Sequence, residues 1–203
     1  MKKYEVYVSV DIEATGPIPG PFSMISLGAV AFDAGGKEIG NFSENLEQLP
    51  FSSMDPDTQK FWDNEPLAWI ESTKDARPPS EVIPRFIDWV AALPGTPVFV
   101  AYPAGFDWTF VYWYIHMFGG GRKNPFSFAG LDMKTYAMAL LKTPFRGTAK
   151  RMFPPEWFVE NTNKHQAVHD AREQGILFFK MLASNGVSAS NAELGEKKGL
   201  HVR

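Results

Sequence analysis

Two acidic side chains, Asp11 and Glu13, are separated by one residue and follow a stretch in which apolar and polar residues alternate. In an extended chain, residues two apart project from the same face, so both carboxylates can share one divalent cation while Ile12 points into the core. The pair alone is a weak signal, because 23 acidic residues among 203 give roughly two to three such pairs by chance. A solvated strand end is the alternative interpretation.

The residues around this pair favour a site. Gly16 follows Glu13 closely and permits a backbone to approach a ligand. Asp107 comes just after an apolar run at 98–102, with a helix N-cap as its alternative role. Asp170 lies in a helical pattern, where an exposed carboxylate is the alternative. Acidic residues at strand ends lie where open α/β sheets place their ligands.

His165 immediately precedes the helical pattern that carries Asp170. If the helix begins after His165, the imidazole is held in the loop above Asp170, so a base can face a metal-bound water while the carboxylate holds the metal. A lone histidine is more often a surface residue or a satisfied core group. We interpret His116 in that way, and we assign His201 to the C-terminal tail.

Three motifs in chain order resemble those of the DEDDh-type 3′→5′ exonucleases, which include polymerase proofreading subunits, RNase T and oligoribonuclease. They are Asp-x-Glu with Thr-Gly, then Phe-Asp, then His-x-Ala-x-x-Asp-Ala. The resemblance spans about residues 5 to 183. The matching residues are Asp11, Glu13, Thr15, Gly16, Phe106, Asp107, His165, Ala167, Asp170 and Ala171.

The sequence departs from the family pattern at two places. Tyr102 and Pro103 stand where the second motif commonly begins with His-Asn, and Ala14 replaces a common threonine. Neither change removes an implied metal ligand, but both lie where substrate and supporting hydrogen bonds are arranged. The choice between RNA and DNA therefore stays open, because recognition of the 2′-hydroxyl depends on side-chain geometry.

The resemblance implies a metal-dependent exonuclease that hydrolyses phosphodiester bonds at single-stranded 3′ ends of RNA or DNA and releases nucleoside 5′-monophosphates. Four carboxylates need cations, since like charges ~4 Å apart repel by about 4 kcal/mol at an effective dielectric near 20. Oxygen ligands suit two Mg²⁺ or Mn²⁺ ions. By resemblance, Asp11 bridges both ions, Glu13 and Asp170 bind one, Asp107 binds the other, and His165 is the general base.

The 3′-terminal base needs a stacking surface, which apolar side chains near the motifs can supply. We assign substrate contacts to Ile12, Ala14, Thr15, Gly16 and Phe106. Further candidates are Phe22, Met24 and Trp108, for which we prefer ordinary core packing to a substrate contact. Four basic residues either line the path of the substrate backbone or form a solvated loop: Lys142, Arg146, Lys150 and Arg151.

The periodicity predicts the elements that must position these residues. Strands are predicted at 4–10, 25–32, 38–46 and 97–102. Helices are predicted after the Asp55-Pro56 cap with a break near Pro66, from a Ser80 cap to 93 with Pro84 in the first turn, and at 107–118, 131–141 and 167–182. This order predicts an α/β fold with a mixed β-sheet flanked by helices, and the resemblance makes that sheet ribonuclease H-like.

Length and composition set the outer limits. A chain of 203 residues with 44% hydrophobic and 21% charged residues is typical of one globular domain, which we place at 1–186, with a flexible tail at 187–203. A net charge of −3 argues against coating long nucleic acid but permits the binding of a short end. The sequence lacks cysteine and any apolar run near ~18 residues, which predicts a cytoplasmic protein without a membrane span.

Two other function classes are alternatives to an exonuclease. His169-Asp170 is the dipeptide of HD-type phosphohydrolases, but their fold is all-helical and needs further histidines upstream, where only His116 precedes His165. A catalytically silent nucleic-acid-binding module would be expected to have lost catalytic positions, and all five are present. The sequence leaves open whether the chain acts alone, as a homodimer like several relatives, or with a polymerase.

Overall fold

The computed structural model describes residues 4–158 and 165–186. Its centre is a five-stranded sheet in the order β3-β2-β1-β4-β5. Strands β1 to β3 form an antiparallel meander, whereas β4 and β5 run parallel to β1. The strands are β1 Glu5–Ala14, β2 Met24–Phe32, β3 Glu38–Asn45, β4 Thr96–Ala101 and β5 Gly130–Asp132. The predicted mixed sheet is confirmed, and the all-helical HD alternative is wrong.

Helices cover both faces of the sheet. One face packs against α3 and α4, and the other packs against α5 and α6. None of the helices in the described part of the chain is long and apolar enough to cross a membrane. The helices are α1 Pro56–Asn64, α2 Pro66–Thr73, α3 Pro79–Ala92, α4 Ala104–Phe118, α5 Met133–Leu141 and α6 Ala167–Ser184.

Strand β1 alternates between the two helix layers. Val8 and Val10 are fully buried in the core beneath α3 and α4. Tyr7 instead lies on the opposite face, where its ring centroid is 5.2 Å from that of Phe178 on α6. Because the side-chain period of a strand is two, the odd-numbered positions of β1 that follow Tyr7 also face α6.

Strand β1 is longer than its parallel neighbour. Its pairing with β4 ends at Ser9 and Val100, but β1 continues to Ala14 while paired with β2. The chain leaves β4 at this level and turns into α4. The edge of β1 that β4 leaves unpaired therefore meets the start of a helix, which is where the first two acidic motifs come together.

Several predicted boundaries were wrong. Helix α3 begins at Pro79 without a Ser80 cap, because a proline at the first helical position already has the required φ, and Pro84 lies inside the helix beyond its first turn. Helix α4 begins at Ala104, so Asp107 is in its first turn and is not its N-cap. Strand β1 also continues past its predicted end at residue 10.

Two further segments differ from the prediction, and one region matches it. Residues 130–141 form a short strand and then a helix, because the Asp132 carboxylate caps α5 by accepting the N–H of Thr135. The predicted basic loop contains three short 3-10 turns. Asp55 caps α1 as predicted, and the break before Pro66 is confirmed. The predicted tail at 187–203 lies outside the described residues.

Candidate active site

A cavity of about 800 Å³ opens at the C-terminal part of β1. It brings together residues from β1, the β4–α4 turn, the first turn of α4, the basic loop and the start of α6. All five residues implied by the three motifs line it. The lining residues are Asp11, Ile12, Glu13, Tyr102, Pro103, Phe106, Asp107, Lys150, Arg151, Phe158, His165, Asp170 and Glu173.

Asp107 is held against β1 by the backbone of the first motif. Its Oδ1 accepts the N–H of Ile12 at 3.1 Å, and its side chain is only 3% exposed. This N–H lies in the part of β1 that β4 does not pair. The carboxylate therefore takes the place of a missing strand partner, and it lies next to Asp11 and Glu13 as a result.

The start of α4 is fixed by Asp132, which the sequence analysis did not single out. One carboxylate oxygen accepts the N–H of Ala104 at 2.7 Å, and the other accepts the N–H of Thr135 at 2.6 Å. Aspartate before a helical pattern is a recognisable cap signal. The bond to Ala104 joins the start of α5 to the start of α4, which carries Asp107, and local sequence holds no signal for it.

His165 and Asp170 are joined at the start of α6. The backbone N–H of His165 donates to Asp170 Oδ2 at 2.7 Å. The backbone of His165 has φ 60°, in the left-handed region that few non-glycine residues adopt. The imidazole ring meets the ring edge of Phe61 at a centroid distance of 5.1 Å. Glu13, His165 and Asp170 each offer a ligand atom, all within 4.8 Å of one another.

Two residues that the sequence analysis missed fix α6 on the sheet. A Cβ on Gly28 would lie 2.1 Å from the backbone carbon of Ala167, so only glycine permits this close approach. Further along α6, Gln174 is 1% exposed, and its amide donates to the carbonyl of Val10 at 2.9 Å. A polar residue on the apolar face of an amphipathic helix is the signal that could have identified Gln174.

The clustered carboxylates repel one another in a buried setting. Burial, followed by the charges of Asp107 and Glu13, raises the pKa of Asp11 well above its usual range. Burial and the charge of Asp170 raise the pKa of Glu13 to about 8. Burial raises the pKa of Asp107 to about 7, against the hydrogen bond from Ile12. Burial also raises the pKa of Asp170.

These properties fit a hard divalent cation. The donor set is dominated by carboxylate oxygens, which Mg²⁺ and Mn²⁺ prefer. A bound cation would also stabilise the ionised carboxylates against both their burial and their mutual repulsion. The described residues therefore contain a candidate metal site of acidic side chains beside a histidine.

A second cavity of about 430 Å³ adjoins the first, and Glu13 and Phe106 line both. Two predicted substrate residues, Ala14 and Gly16, line this smaller cavity, and Ile12 lines the larger one. The other residues of the smaller cavity are Pro17, Asp57, Thr58, Phe61 and Trp62. Phe61 and Trp62 come from α1, which the sequence did not connect with the site.

Thr15 and Gly16 have roles within the protein. The Thr15 side chain is fully buried, and its hydroxyl donates to the carbonyl of Ser53 and accepts the N–H of Ser23, each at 2.9 Å. This position gives Thr15 a structural role in place of the predicted substrate contact. A Cβ on Gly16 would lie 2.3 Å from the Phe22 ring, so Gly16 makes room for that ring.

The remaining candidates divide between core and cavity. Met24 is fully buried, and the Trp108 ring packs at 4.8 Å from that of Phe99, so both follow the core alternative. Lys150 and Arg151 line the larger cavity. The other two basic candidates, Lys142 and Arg146, are not among its described lining residues.

Comparison with known proteins identifies the family. The exonuclease family model RNase_T matches residues 8–178. The 3′-5′ DNA exonuclease Cap18 of Escherichia coli is 32% identical over 178 residues, which cover 86% of this chain and 90% of the relative.

Solved structures agree in fold. The nuclease domain of 3′hExo, a DEDDh family member bound to rAMP, superposes with a TM-score of 0.68 at 14% identity over 97% of this chain and 98% of that domain. Pop2p of S. pombe, in its Mg²⁺- and Mn²⁺-bound form, gives a TM-score of 0.68 at 13% identity over 89% of this chain and 84% of that one. The predicted ribonuclease H-like fold and DEDDh resemblance are thus confirmed, and the chain belongs to the RNase_T family of exonucleases.

Proposed function

We propose that this chain removes nucleotides one at a time from single-stranded 3′ ends, with DNA as the preferred substrate, and releases nucleoside 5′-monophosphates. The observation that carries the proposal is the convergence of four acidic residues and one histidine on a single cavity, from three separate parts of the chain. The preference for DNA is supported by Cap18, which is a DNA exonuclease.

Asp11, Glu13, Asp107 and Asp170 would hold two Mg²⁺ or Mn²⁺ ions. The burial of these carboxylates, which raises their pKa values, supports this assignment, because buried carboxylates beside one another need a compensating positive charge when they ionise. Two bound ions would stabilise the attacking and leaving oxygens of an in-line phosphoryl displacement. The protein's contribution is to fix four oxygen donors before the substrate arrives.

His165 would accept a proton from the attacking water. The bond from its N–H to Asp170 and the edge contact with Phe61 restrict where the imidazole can point. A base held in this way does not have to be ordered at the moment of reaction, which favours proton transfer.

The smaller cavity would receive the terminal nucleoside. Its volume of about 430 Å³ falls within the range of small-ligand pockets, and its aromatic walls from Phe61 and Phe106 offer surfaces for base stacking. Ile12, Ala14 and Gly16 would complete the contacts. Because Glu13 and Phe106 line both cavities, the 5′-phosphate of a nucleoside bound there would reach the carboxylates.

We also propose a cytoplasmic location, which the lack of cysteine supports, since a fold without disulfides does not depend on an oxidising compartment. A homodimer is the alternative to a monomer as the oligomeric state in solution. Light scattering of the purified protein distinguishes a 22.7 kDa monomer from its dimer.

The decisive experiment offers 5′-labelled single-stranded DNA, single-stranded RNA and duplex DNA in parallel, with Mg²⁺, Mn²⁺ or chelator. We expect a ladder that shortens from the 3′ end, fastest on single-stranded DNA, and no cleavage in chelator. Asp107→Asn should lower the rate by more than about 100-fold, the upper end seen for groups that only support metal ligands. The exposed Asp63→Asn variant should match wild type. A ladder from the 5′ end, or normal digestion by Asp107→Asn, would contradict the proposal.

A further inference from the structure

The basic loop forms one wall of the larger cavity. We call residues 145–157 the basic strap; it comprises three 3-10 turns, and its Lys150 and Arg151 line the cavity beside the carboxylates. We infer that Lys150 and Arg151 of the basic strap bind the phosphodiester backbone on the 5′ side of the scissile phosphate, and that Tyr102 is the positioning residue that holds the strap over the site. This inference rests on the proposed function, because it extends the substrate beyond its terminal nucleotide.

Tyr102 contacts the basic strap in two places. Its hydroxyl donates to the carbonyl of Thr148, a residue that is itself fully buried. Its ring meets that of Phe153 at a centroid distance of 5.9 Å and an interplanar angle of 78°. Tyr102 directly follows β4, and Asp107 lies five residues further on. The short segment from Tyr102 to Asp107 therefore carries both the attachment of the strap and a candidate metal ligand.

Lys150 is held from two sides at the edge of the carboxylate cluster. Its Nζ lies 5.7 Å from the centroid of the Tyr102 ring and 3.6 Å from Glu173 Oε1. Glu173 follows Asp170 by about one turn of α6. The Lys150 side chain remains 37% exposed, so its ammonium group lies near the site and is still accessible to a ligand.

The charges of the site explain why a phosphate is the expected partner. Two divalent cations would match the four carboxylates, so each phosphodiester of a bound strand adds a negative charge that other groups must offset. Lys150 and Arg151 are the two basic residues of the described cavity lining, and Arg151 is exposed. A guanidinium fork and an ammonium group are the side chains that bind phosphate backbones most readily.

These contacts give a structural role to Tyr102, one of the residues at which the chain departs from the family pattern. A phenol places its hydroxyl beyond the ring, so it reaches the Thr148 carbonyl while the ring face remains beside Lys150. Cations near an aromatic ring are attracted by its negative face. The same side chain thus fixes the strap and orients its lysine.

The test compares two substrates that differ only in the presence of an upstream strand. One is a single-stranded DNA oligonucleotide, and the other is the p-nitrophenyl ester of thymidine 5′-monophosphate, which has one phosphodiester and nothing beyond it. In Lys150→Gln and Arg151→Gln, the ratio of kcat/KM for the oligonucleotide to kcat/KM for the ester should fall by about tenfold or more, as expected for a lost charged hydrogen bond. Arg146→Gln, which removes the same charge from the same strap outside the cavity lining, should keep the wild-type ratio.

Salt dependence and binding without turnover give a second readout. In chelator, the affinity for a fluorescent oligonucleotide should depend less steeply on salt in each variant, by about 0.7 in the logarithmic slope for each lost phosphate contact. Tyr102→Phe, which keeps the ring and removes the hydroxyl, should lower the substrate ratio in the same direction by a smaller factor. Its melting temperature shows whether the fold is intact.

The outcomes separate this inference from the proposed function. Suppose that wild type digests the oligonucleotide, but the Lys150 and Arg151 variants change kcat/KM equally for both substrates or for neither. The strap then only balances the charge of the carboxylates, and the inference is overturned. If wild type hydrolyses neither substrate, the proposed function itself fails, and this inference fails with it.

Discussion

His165 depends on Asp170 for its conformation. A left-handed φ of 60° costs free energy for a residue with a side chain, and the hydrogen bond from its N–H to the Asp170 carboxylate offsets part of that cost. The two residues of the third motif are therefore coupled by structure as well as by their proposed roles. A change at Asp170 should also displace the base, whereas a change at His165 should leave the carboxylates in place.

His165→Ala should lower kcat by about 10²–10⁴-fold on oligonucleotides, because a positioned general base contributes that much. Its affinity for Mn²⁺, measured by calorimetry, should stay near that of wild type, because the imidazole acts on water and not on the ions. His169→Ala is the matched control and should be mild. A larger loss in His169→Ala would show that the third motif is misassigned, and a large loss of Mn²⁺ affinity in His165→Ala would make His165 a metal ligand.

The start of helix α6 packs directly on the sheet at Gly28. Gly28 is the β2 partner of Asp11, and its missing side chain allows the backbone of Ala167 to pack directly on the sheet. Gln174 then ties the middle of the helix to β1. Two contacts along one rigid helix thus determine how far Asp170 lies from the β1 carboxylates.

Gly28→Ala should move the start of α6 away from the sheet, because the added Cβ would lie 2.1 Å from the Ala167 backbone. A displacement of about 1 Å can lower turnover by about 100-fold, and overpacking should destabilise the fold by about 1–3 kcal/mol. Oligonucleotide digestion and urea unfolding measure the two effects.

Gly105→Ala is the control for this change. Gly105 lies in the first turn of α4, and a Cβ there would meet nothing within 4 Å. In a helix this substitution should stabilise the protein by about 0.5–1 kcal/mol and leave digestion unchanged. Equal activity of Gly28→Ala and wild type would show that the contact between α6 and β2 does not position the site.

The whole molecule carries its charge unevenly. The net charge is only −3, yet four carboxylates are gathered in one cavity and their pKa values are raised, chiefly by burial. When such groups ionise, the folded state without metal is destabilised, whereas the unfolded chain separates the charges. Stability should therefore depend on both pH and divalent cations.

In chelator, the melting temperature should fall as pH rises from about 4 to about 8. The sign follows from the carboxylates: with pKa values raised to about 7 for Asp107 and about 8 for Glu13, the folded state holds more protons than the unfolded state, and the stability this gives is lost as pH rises through those values. Saturating Mn²⁺ at pH 8 should raise the melting temperature by about 5–10 °C.

Asp11→Asn should behave oppositely in the same thermal scans. With one buried charge gone, it should be more stable than wild type in chelator at pH 8, and it should gain less on adding Mn²⁺. A wild-type melting temperature that neither falls with pH nor rises with Mn²⁺ would mean that the carboxylates do not form one metal site.

Much of the site followed from local sequence. The Asp11 and Glu13 pair could be assigned to one face because strand geometry repeats every two residues, and His165 could be placed before α6 because helix boundaries have local signals. The α/β order of elements rests on the same short-range patterns, whereas the exonuclease resemblance rests on three motifs in chain order, and both are confirmed. The domain limits at 1–186 stay a prediction.

Tertiary structure decided which residues meet. The bond from the Ile12 N–H to Asp107 spans 95 positions, and the bonds between Gln174 and β1 span up to 165, so no local period encodes them. Packing also buries Thr15 in the protein interior, although the sequence-based assignment made it a substrate contact. It brings Phe61 to His165, a contact that the sequence did not indicate. Local spacing sets the direction of a side chain relative to its own backbone, but the partner that it reaches depends on how distant elements pack together.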